Sequence, residues 1–167
     1  MRLEDGEIAL RPIGEDDIPA MVAACQDPEI PRWTRVPSPY TEKEARDFLG
    51  RASDVSAIVD ADSGEFLGTI GWWWVADNVQ LGYWVKREAR GRGVATRALH
   101  LLSRWAFAEL GAVRVQLLTE PENRASQRVA EKAGFRREAL LRSYVELKGS
   151  RRDVYMYALL RDDLDSS

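Results

Sequence analysis

The sequence has very little of the chemistry that metal sites and covalent catalysis require. Among its 167 residues there is one histidine, His100, and one cysteine, Cys25. Two such residues cannot form a His/Cys zinc cluster, and they make a nucleophile pair only if they happen to meet. We therefore expect no metal. A single cysteine also excludes an internal disulfide and fits a reducing compartment.

The sequence also lacks features of membrane and nucleic-acid binding proteins. No apolar run approaches the roughly 18–20 residues that cross a bilayer. Residues 1–7 are acidic and polar, unlike a secretory signal. The net charge of −3 gives no basic field that would hold nucleic acid. We expect a cytoplasmic protein, monomer or homodimer, that contacts neither membrane nor nucleic acid directly. The length predicts a single domain, 1–167, with its core at about 8–160.

The segment from Val85 to Leu99 is the most informative one present. An apolar run ends at Val85, and two glycines, Gly91 and Gly93, precede an amphipathic helical pattern. Glycines allow positive φ and close approach of a ligand. A helix start offers unpaired N–H groups that suit an anion, and Arg90 and Arg92 add positive charge. This segment predicts a diphosphate-binding turn.

Two common phosphate-binding motifs fit this turn poorly. A Walker loop requires Gly-Lys-Ser/Thr, whereas Gly93 is followed by Val94, Ala95 and Thr96. The dinucleotide fingerprint requires a third glycine where Thr96 stands, and it lies early in a βαβ unit. The sequence therefore favours neither nucleotide hydrolysis nor dinucleotide redox chemistry.

The run Arg90-Gly91-Arg92-Gly93-Val94-Ala95 resembles the Arg/Gln-x-x-Gly-x-Gly/Ala signature of the GCN5-related N-acetyltransferases (GNAT). In that family the turn wraps the diphosphate of acetyl-CoA through backbone amides at the start of the following helix. The resemblance implies that the cofactor is acetyl-CoA as co-substrate, contacted by the residues 90–96. It also implies contacts from Trp84 and Val85, at the splayed end of the preceding strand, where a backbone N–H meets the oxyanion.

The predicted order of elements agrees with this resemblance. The pattern gives β-α-α-β-β-β-α-β-α-β-β, an α/β (α+β) fold with one mixed, twisted sheet. Four prolines between Asp27 and Tyr40 predict that this segment has no regular structure. The order resembles the N-acetyltransferase fold over about residues 8–160. The predicted strands are 7–13, 56–59, 66–75, 79–86, 113–119, 139–147 and 153–160, and the predicted helices are 16–25, 42–51, 94–110 and 125–133.

A second motif opens the helix after the fifth predicted strand, 113–119. Asn123 is a good N-cap, and Ser126 has the ordinary interpretation of a helix-surface serine. Asn123-x-x-Ser126, followed by Glu131-Lys132-Ala133-Gly134-Phe135, resembles the RimJ/RimL branch, the ribosomal-protein alanine and serine N-acetyltransferases. That resemblance implies that Asn123 contacts the pantetheine arm and that Ser126 protonates the leaving thiolate.

Three carboxylates are candidates for the general base. They are Glu146 on the penultimate strand, Glu29 in the proline-rich segment, and Asp77 at a turn. Glu146 is favoured because the family often places an acid near this point of that strand. A solvent-facing strand carboxylate is the competing interpretation.

Aromatic residues in two segments are the candidates for the acceptor pocket. Trp33 and Tyr40 lie in the proline-rich segment, and Trp72, Trp73 and Trp74 follow one another in a strand. Successive strand side chains alternate, so Trp72 and Trp74 share one face, which is either the acceptor pocket or core.

The sequence thus predicts an acetyl-CoA-dependent N-acetyltransferase that acts by direct transfer to a primary amine. The acceptor is either a protein N-terminal α-amine or a small-molecule amine. The alternative is a non-catalytic acyl-CoA-binding sensor or partner-binding module.

Overall fold

The computed structural model describes residues 1–164 and contains eight strands and six α-helices. The strands are β1 (Leu3–Glu4), β2 (Ile8–Pro12), β3 (Val55–Asp60), β4 (Phe66–Val75), β5 (Asn78–Val85), β6 (Arg114–Thr119), β7 (Arg136–Leu147) and β8 (Ser150–Leu160). The helices are α1 (Ile18–Ala24), α2 (Glu29–Trp33), α3 (Glu42–Leu49), α4 (Val94–Glu109), α5 (Arg124–Lys132) and α6 (Arg161–Leu164). Residues 165–167 of the predicted domain lie outside the described residues.

The strands form one mixed sheet in the order β1-β2-β3-β4-β5-β6-β8-β7. The pairs β1–β2, β2–β3, β3–β4, β6–β8 and β7–β8 are antiparallel, and β5 and β6 are parallel. The mixed sheet predicted from the sequence is therefore confirmed. By its internal contacts the chain divides into two compact units, and β4 and β5 each run through both. The first unit is Met1–Gly71 with Tyr83–Ala98, and the second is Trp72–Gly82 with the described chain from Leu99 onward.

The core of the first unit joins helices α1, α2 and α3 to strands β2 and β3. Its buried members are mostly apolar side chains, as is typical of a protein core. The cluster includes Ala9, Ile18, Met21, Cys25, Ile30, Tyr40, Ala45, Ala57, Val59 and Phe66. Helix α3 begins with the predicted capping box, since the Thr41 N–H donates to Glu44 Oε2 at 2.8 Å.

The prediction that residues 27–40 lack regular structure is wrong at one point. Helix α2 covers Glu29–Trp33, with Pro28 as its N-cap and Pro31 inside it. Proline is compatible with the first turn of a helix, where its missing N–H has no intrahelical acceptor. Both prolines stand at that end, so they permit this short helix.

The second unit is built around β6 and β8, which lie inside the sheet. Val115 and Leu117 on β6, and Tyr157 and Leu159 on β8, are each at most 2% exposed. The hairpin between β7 and β8 turns at Lys148 and Gly149, both with positive φ, as tight hairpins with twisted strands require.

One glycine marks a very close approach between β4 and β5. A Cβ added at Gly68 would lie 2.2 Å from the Trp84 carbonyl oxygen and 2.9 Å from Val85 Cα. Both atoms belong to backbone, so neither can rotate away. Only glycine fits at this point of β4.

We predict that Gly68→Ala destabilises the fold by about 1–3 kcal/mol, because the added methyl forces the backbones of two strands apart. Urea unfolding measures the change. Gly14→Ala is the control, since a Cβ there has nothing within 4 Å and φ is negative, and it should stay within about 0.5 kcal/mol of wild type. Equal midpoints for the two variants would contradict the close approach.

Candidate functional site

The turn between β5 and α4 belongs to the first unit and has the backbone geometry of an anion site. Gly91 and Gly93 have φ values of +73° and +76°. The Arg97 N–H donates to the Gly93 carbonyl at 3.0 Å, so the N–H groups at the first helical positions precede any intrahelical acceptor. A Cβ added at either glycine would meet nothing within 4 Å. The space beside the turn is therefore open to a ligand.

The two arginines of the turn have different surroundings. Arg90 has two partners: its Nε donates to the Val85 carbonyl at 3.2 Å, and its Nη2 lies 2.7 Å from Asp27 Oδ2. Arg92 is exposed and makes no hydrogen bond or ion pair to another residue in 1–164. The turn therefore has one cation paired with Asp27 and a second, Arg92, without a direct ion pair in 1–164. Arg92 still acts on Asp60, whose pKa is lowered by hydrogen bonds from Ser63 and, to a smaller extent, by this charge.

The first unit also contains the two aromatic residues expected in the proline-rich segment. The Trp33 indole N–H donates to Glu29 Oε2 at 3.1 Å, and the Arg32 guanidinium lies 4.4 Å from the Trp33 ring centroid. Tyr40 is only 6% exposed and belongs to the core. Burial, with smaller contributions from Cys25 and Glu44, raises the pKa of Tyr40 to about 12. Of these two side chains, Trp33 is the more available to a ligand.

In the second unit, Asn123 caps helix α5 as its residue type predicts. Asn123 Oδ1 accepts the Ser126 N–H at 3.2 Å. The Asn123 N–H in turn donates to the Glu120 carbonyl at 3.0 Å. Asn123 and Ser126 are thus brought together at the start of α5, half-buried.

A buried ion pair beside this helix start was not expected from the sequence. Glu120, 9% exposed, follows β6, and its Oε1 lies 3.0 Å from Nη1 of Arg152 on β8. The Gln127 amide also donates to the Glu120 and Pro121 carbonyls, at 3.3 and 2.8 Å. The segment before Asn123 is therefore fixed from two sides. A charged residue directly after a buried strand was the only sequence signal for it.

Glu146 lies near the end of β7, exposed and directly opposite Arg151 on β8. A bulge precedes it, with Ser143 at φ +51°. The Ser143 N–H donates to Asp153 Oδ1 at 2.7 Å, and the Arg151 guanidinium donates to the Ser143 carbonyl. These contacts hold the bulge. Of the other base candidates, Glu29 is engaged by Trp33 and Asp77 is exposed at the β4–β5 turn.

The three successive tryptophans alternate as predicted. The rings of Trp72 and Trp74 meet edge to face with centroids 6.3 Å apart, and Trp72 also contacts Trp105 of α4 at 5.6 Å. Trp73 lies over Gly82, where an added Cβ would be 3.0 Å from the indole. Trp72 therefore packs against a helix, whereas 48% of Trp74 is exposed.

Parallel pairing between β5 and β6 is short. Val79 pairs with Val115 and Gln80 with Gln116, although β5 continues to Val85. The paired residues therefore end five residues before the end of β5.

The sheet order and the glycine turn before α4 define the class of N-acetyltransferase folds that the sequence predicts. Residues 7–136 match the family model described as an acetyltransferase (GNAT) domain. The chain belongs to the GNAT acetyltransferase family, whose members use acetyl-CoA. It is an enzyme that transfers an acetyl group to an amine.

Individual relatives agree with this assignment. The chain is 29% identical to an uncharacterized N-acetyltransferase, p20, of Bacillus licheniformis, with 92% of this chain and 93% of the relative covered. A GNAT-family acetyltransferase from Bacillus anthracis superposes with a TM-score of 0.89 at 21% identity, covering 97% and 99% of the two chains. Mycobacterium smegmatis RimJ, solved in complex with CoA-disulfide, superposes with a TM-score of 0.80 at 24% identity, covering 98% and 88%. The two structural matches show the fold.

Among the described residues no helix is long and apolar enough to cross a membrane.

We predict that Arg90→Ala destabilises the protein by about 1–3 kcal/mol, because it leaves the buried Asp27 carboxylate without its cation. Arg92→Ala is the matched control within the same turn and should change stability by less than about 0.5 kcal/mol. Chemical denaturation of both variants measures the difference. The double variant Arg90→Ala/Asp27→Ala should lose less stability than the sum of the two single changes. Additive losses would show that the ion pair carries none of the effect.

Proposed function

We propose that the chain acetylates the N-terminal α-amine of a protein or peptide, with acetyl-CoA as donor. The observation that carries the donor site is the turn with two positive-φ glycines, open space beside them, and the exposed cation Arg92. The acceptor class is supported by the Asn123–Ser126 motif and by neighbours such as RimJ. A small-molecule amine is the second candidate, supported by the exposed Trp74.

The residues of the turn fit a diphosphate. Backbone N–H groups from Gly91 to Thr96 and the dipole of α4 would hold its negative charge. Arg92 would add a charge-assisted hydrogen bond to the diphosphate. No carboxylate in 1–164 forms a direct ion pair with Arg92. Arg90 would contribute through its backbone, since its guanidinium is bound to Asp27. Trp84, Val85 and Asn123 complete the proposed set of donor-binding residues.

Bound acetyl-CoA supplies the thioester that the acceptor amine attacks. We assign Glu146 to take the proton from the incoming amine, directly or through water. We assign Ser126 to donate a proton to the departing thiolate, whose pKa of about 8.5 makes this a modest task. The N-cap at Asn123 supports this assignment, because it fixes the backbone of Ser126.

The acceptor amine is constrained by its own pKa. A peptide α-amine has a pKa of about 7.7–8.0, whereas a lysine side chain has about 10.4. An exposed carboxylate such as Glu146 can assist the former near neutral pH with little further activation. Trp33 is the proposed contact for the acceptor's first residue. Tyr40, from the same proline-rich segment, is buried in the core. Trp72 and Trp74 stay predicted contacts.

The acceptor proposal is tested by release of free thiol from acetyl-CoA with a panel of N-terminal peptides and small primary amines. We expect kcat/KM to be at least tenfold higher for peptides, and to rise between pH 7 and 8.5 as the α-amine loses its proton. The same peptides with a blocked N-terminus are the control. Higher kcat/KM for small amines would establish the second candidate. Absence of turnover despite CoA binding would favour the sensor alternative.

We predict that Ser126→Ala lowers kcat about 10²-fold with little change in KM, because it removes only the proton donor. Glu146→Gln should lower kcat similarly and keep the increase of kcat/KM with pH, because that increase comes from the α-amine of the acceptor. Glu109→Gln, an exposed carboxylate at the end of α4, is the matched control and should behave as wild type. Steady-state kinetics from pH 6.5 to 9 measure all three. Changes below about threefold in both active-site variants would refute the assigned roles.

A further inference from the structure

One carboxylate of the first unit contacts both helix α2 and the glycine turn. Asp27 Oδ1 accepts the Glu29 N–H at 3.2 Å. Asp27 Oδ2 lies 2.7 Å from Arg90 Nη2. The side chain is only 12% exposed, so it occupies a fixed position between these two partners.

On the α2 side, Asp27 fixes the start of a short helix. Besides the carboxylate contact, its carbonyl accepts the Ile30 N–H at 3.1 Å. A helix of five residues has few internal hydrogen bonds and depends on such flanking contacts. This helix carries Trp33, the proposed acceptor contact. The position of Trp33 therefore depends on Asp27.

On the turn side, Asp27 acts through Arg90. The Arg90 Nε donates to the carbonyl of Val85, the last residue of β5. The Arg90 guanidinium therefore links the end of β5 to the Asp27 carboxylate. A shift of the turn backbone would move the guanidinium against the carboxylate.

The ion pair has unused hydrogen-bonding capacity. Asp27 Oδ2 is buried yet accepts no hydrogen bond, although Arg90 Nη2 is 2.7 Å away. The contact is thus off the direction that a hydrogen bond needs. A small rotation of the guanidinium would align it, and a charge-assisted hydrogen bond is stronger than an unaligned contact.

We propose that Asp27 is a positioning residue that couples occupation of the glycine turn to the order of helix α2. An anion on the turn fixes the backbone that carries Arg90, the ion pair to Asp27 aligns, and α2 becomes more rigid. The acceptor then meets a pre-ordered Trp33 and loses less conformational freedom on binding. This inference rests on the proposed diphosphate site.

Hydrogen exchange of the α2 amides tests the coupling without any reaction. CoA alone is the probe, at a concentration that saturates each variant by its own measured Kd. In the wild type we expect exchange over residues 29–33 to slow about fivefold or more when CoA binds, as typical coupling energies imply. In Asp27→Asn, which lacks the charge, we expect less than a twofold effect.

Two further variants make the result specific. Asp47→Asn removes an exposed carboxylate on α3 that pairs with Lys43, and it should show the wild-type slowing. Arg90→Gln breaks the ion pair but leaves the Asp27–Glu29 hydrogen bond in place. It should lose the slowing as Asp27→Asn does, and it serves where Asp27→Asn is too unstable to measure.

The outcomes separate this inference from the proposed function. If CoA binds the wild type but exchange over α2 does not slow, the coupling is refuted and the diphosphate site stands. Equal slowing in the wild type, Asp27→Asn and Arg90→Gln also overturns it. If CoA does not bind at all, the proposed donor site fails and the coupling fails with it.

Discussion

The chemistry of the glycine turn depends on where the Arg90 guanidinium lies. The guanidinium donates to Val85 and pairs with Asp27, so it connects the turn to two other parts of the first unit. The space beside Gly91 and Gly93 stays open. The turn can then present backbone N–H groups, which need no side-chain rearrangement to meet an anion. Arg92 supplies the cation that is still available. Two arginines that look equivalent in the motif therefore differ in the structure: Arg90 is paired with Asp27, and Arg92 is exposed, as the proposed diphosphate contact requires.

Each unit shows the same physical arrangement at one helix start. Asp27–Arg90 supports the turn before α4, and Glu120–Arg152 supports the segment before α5. Both carboxylates are largely buried whereas their arginines are 39% and 38% exposed, so each pair contributes modestly to net stability. Helix starts supply the donors that a phosphate or an amide-rich ligand requires. Asp27 and Glu120 thus each form an ion pair next to a segment that leads into a helix.

The sequence predicted elements whose signals are local. The turn glycines, the capping box of α3, the Asn123 cap and the alternation of Trp72, Trp73 and Trp74 all follow from neighbouring residues. Helix α2 could not be predicted from composition, because prolines usually interrupt helices. Pro28 and Pro31 lie at the start of the helix, where proline is tolerated. The partners of Arg90 and Arg152 could not be predicted, because Asp27 and Glu120 lie 63 and 32 residues away. Such pairings are decided by tertiary structure.

The acceptor side follows a different physical logic from the donor side. A diphosphate is recognised by backbone geometry, which the glycines specify and the sequence therefore reveals. An amine is recognised by the side chains around it and by whether it can lose its proton. Tyr40, buried with its pKa raised to about 12, contributes rigidity rather than proton transfer near neutral pH. In the proposed function, acceptor choice depends on Trp33 and on the five-residue helix α2, whose start is hydrogen-bonded to Asp27. Since Asp27 also pairs with Arg90 of the glycine turn, the proposed donor and acceptor sites share one largely buried carboxylate.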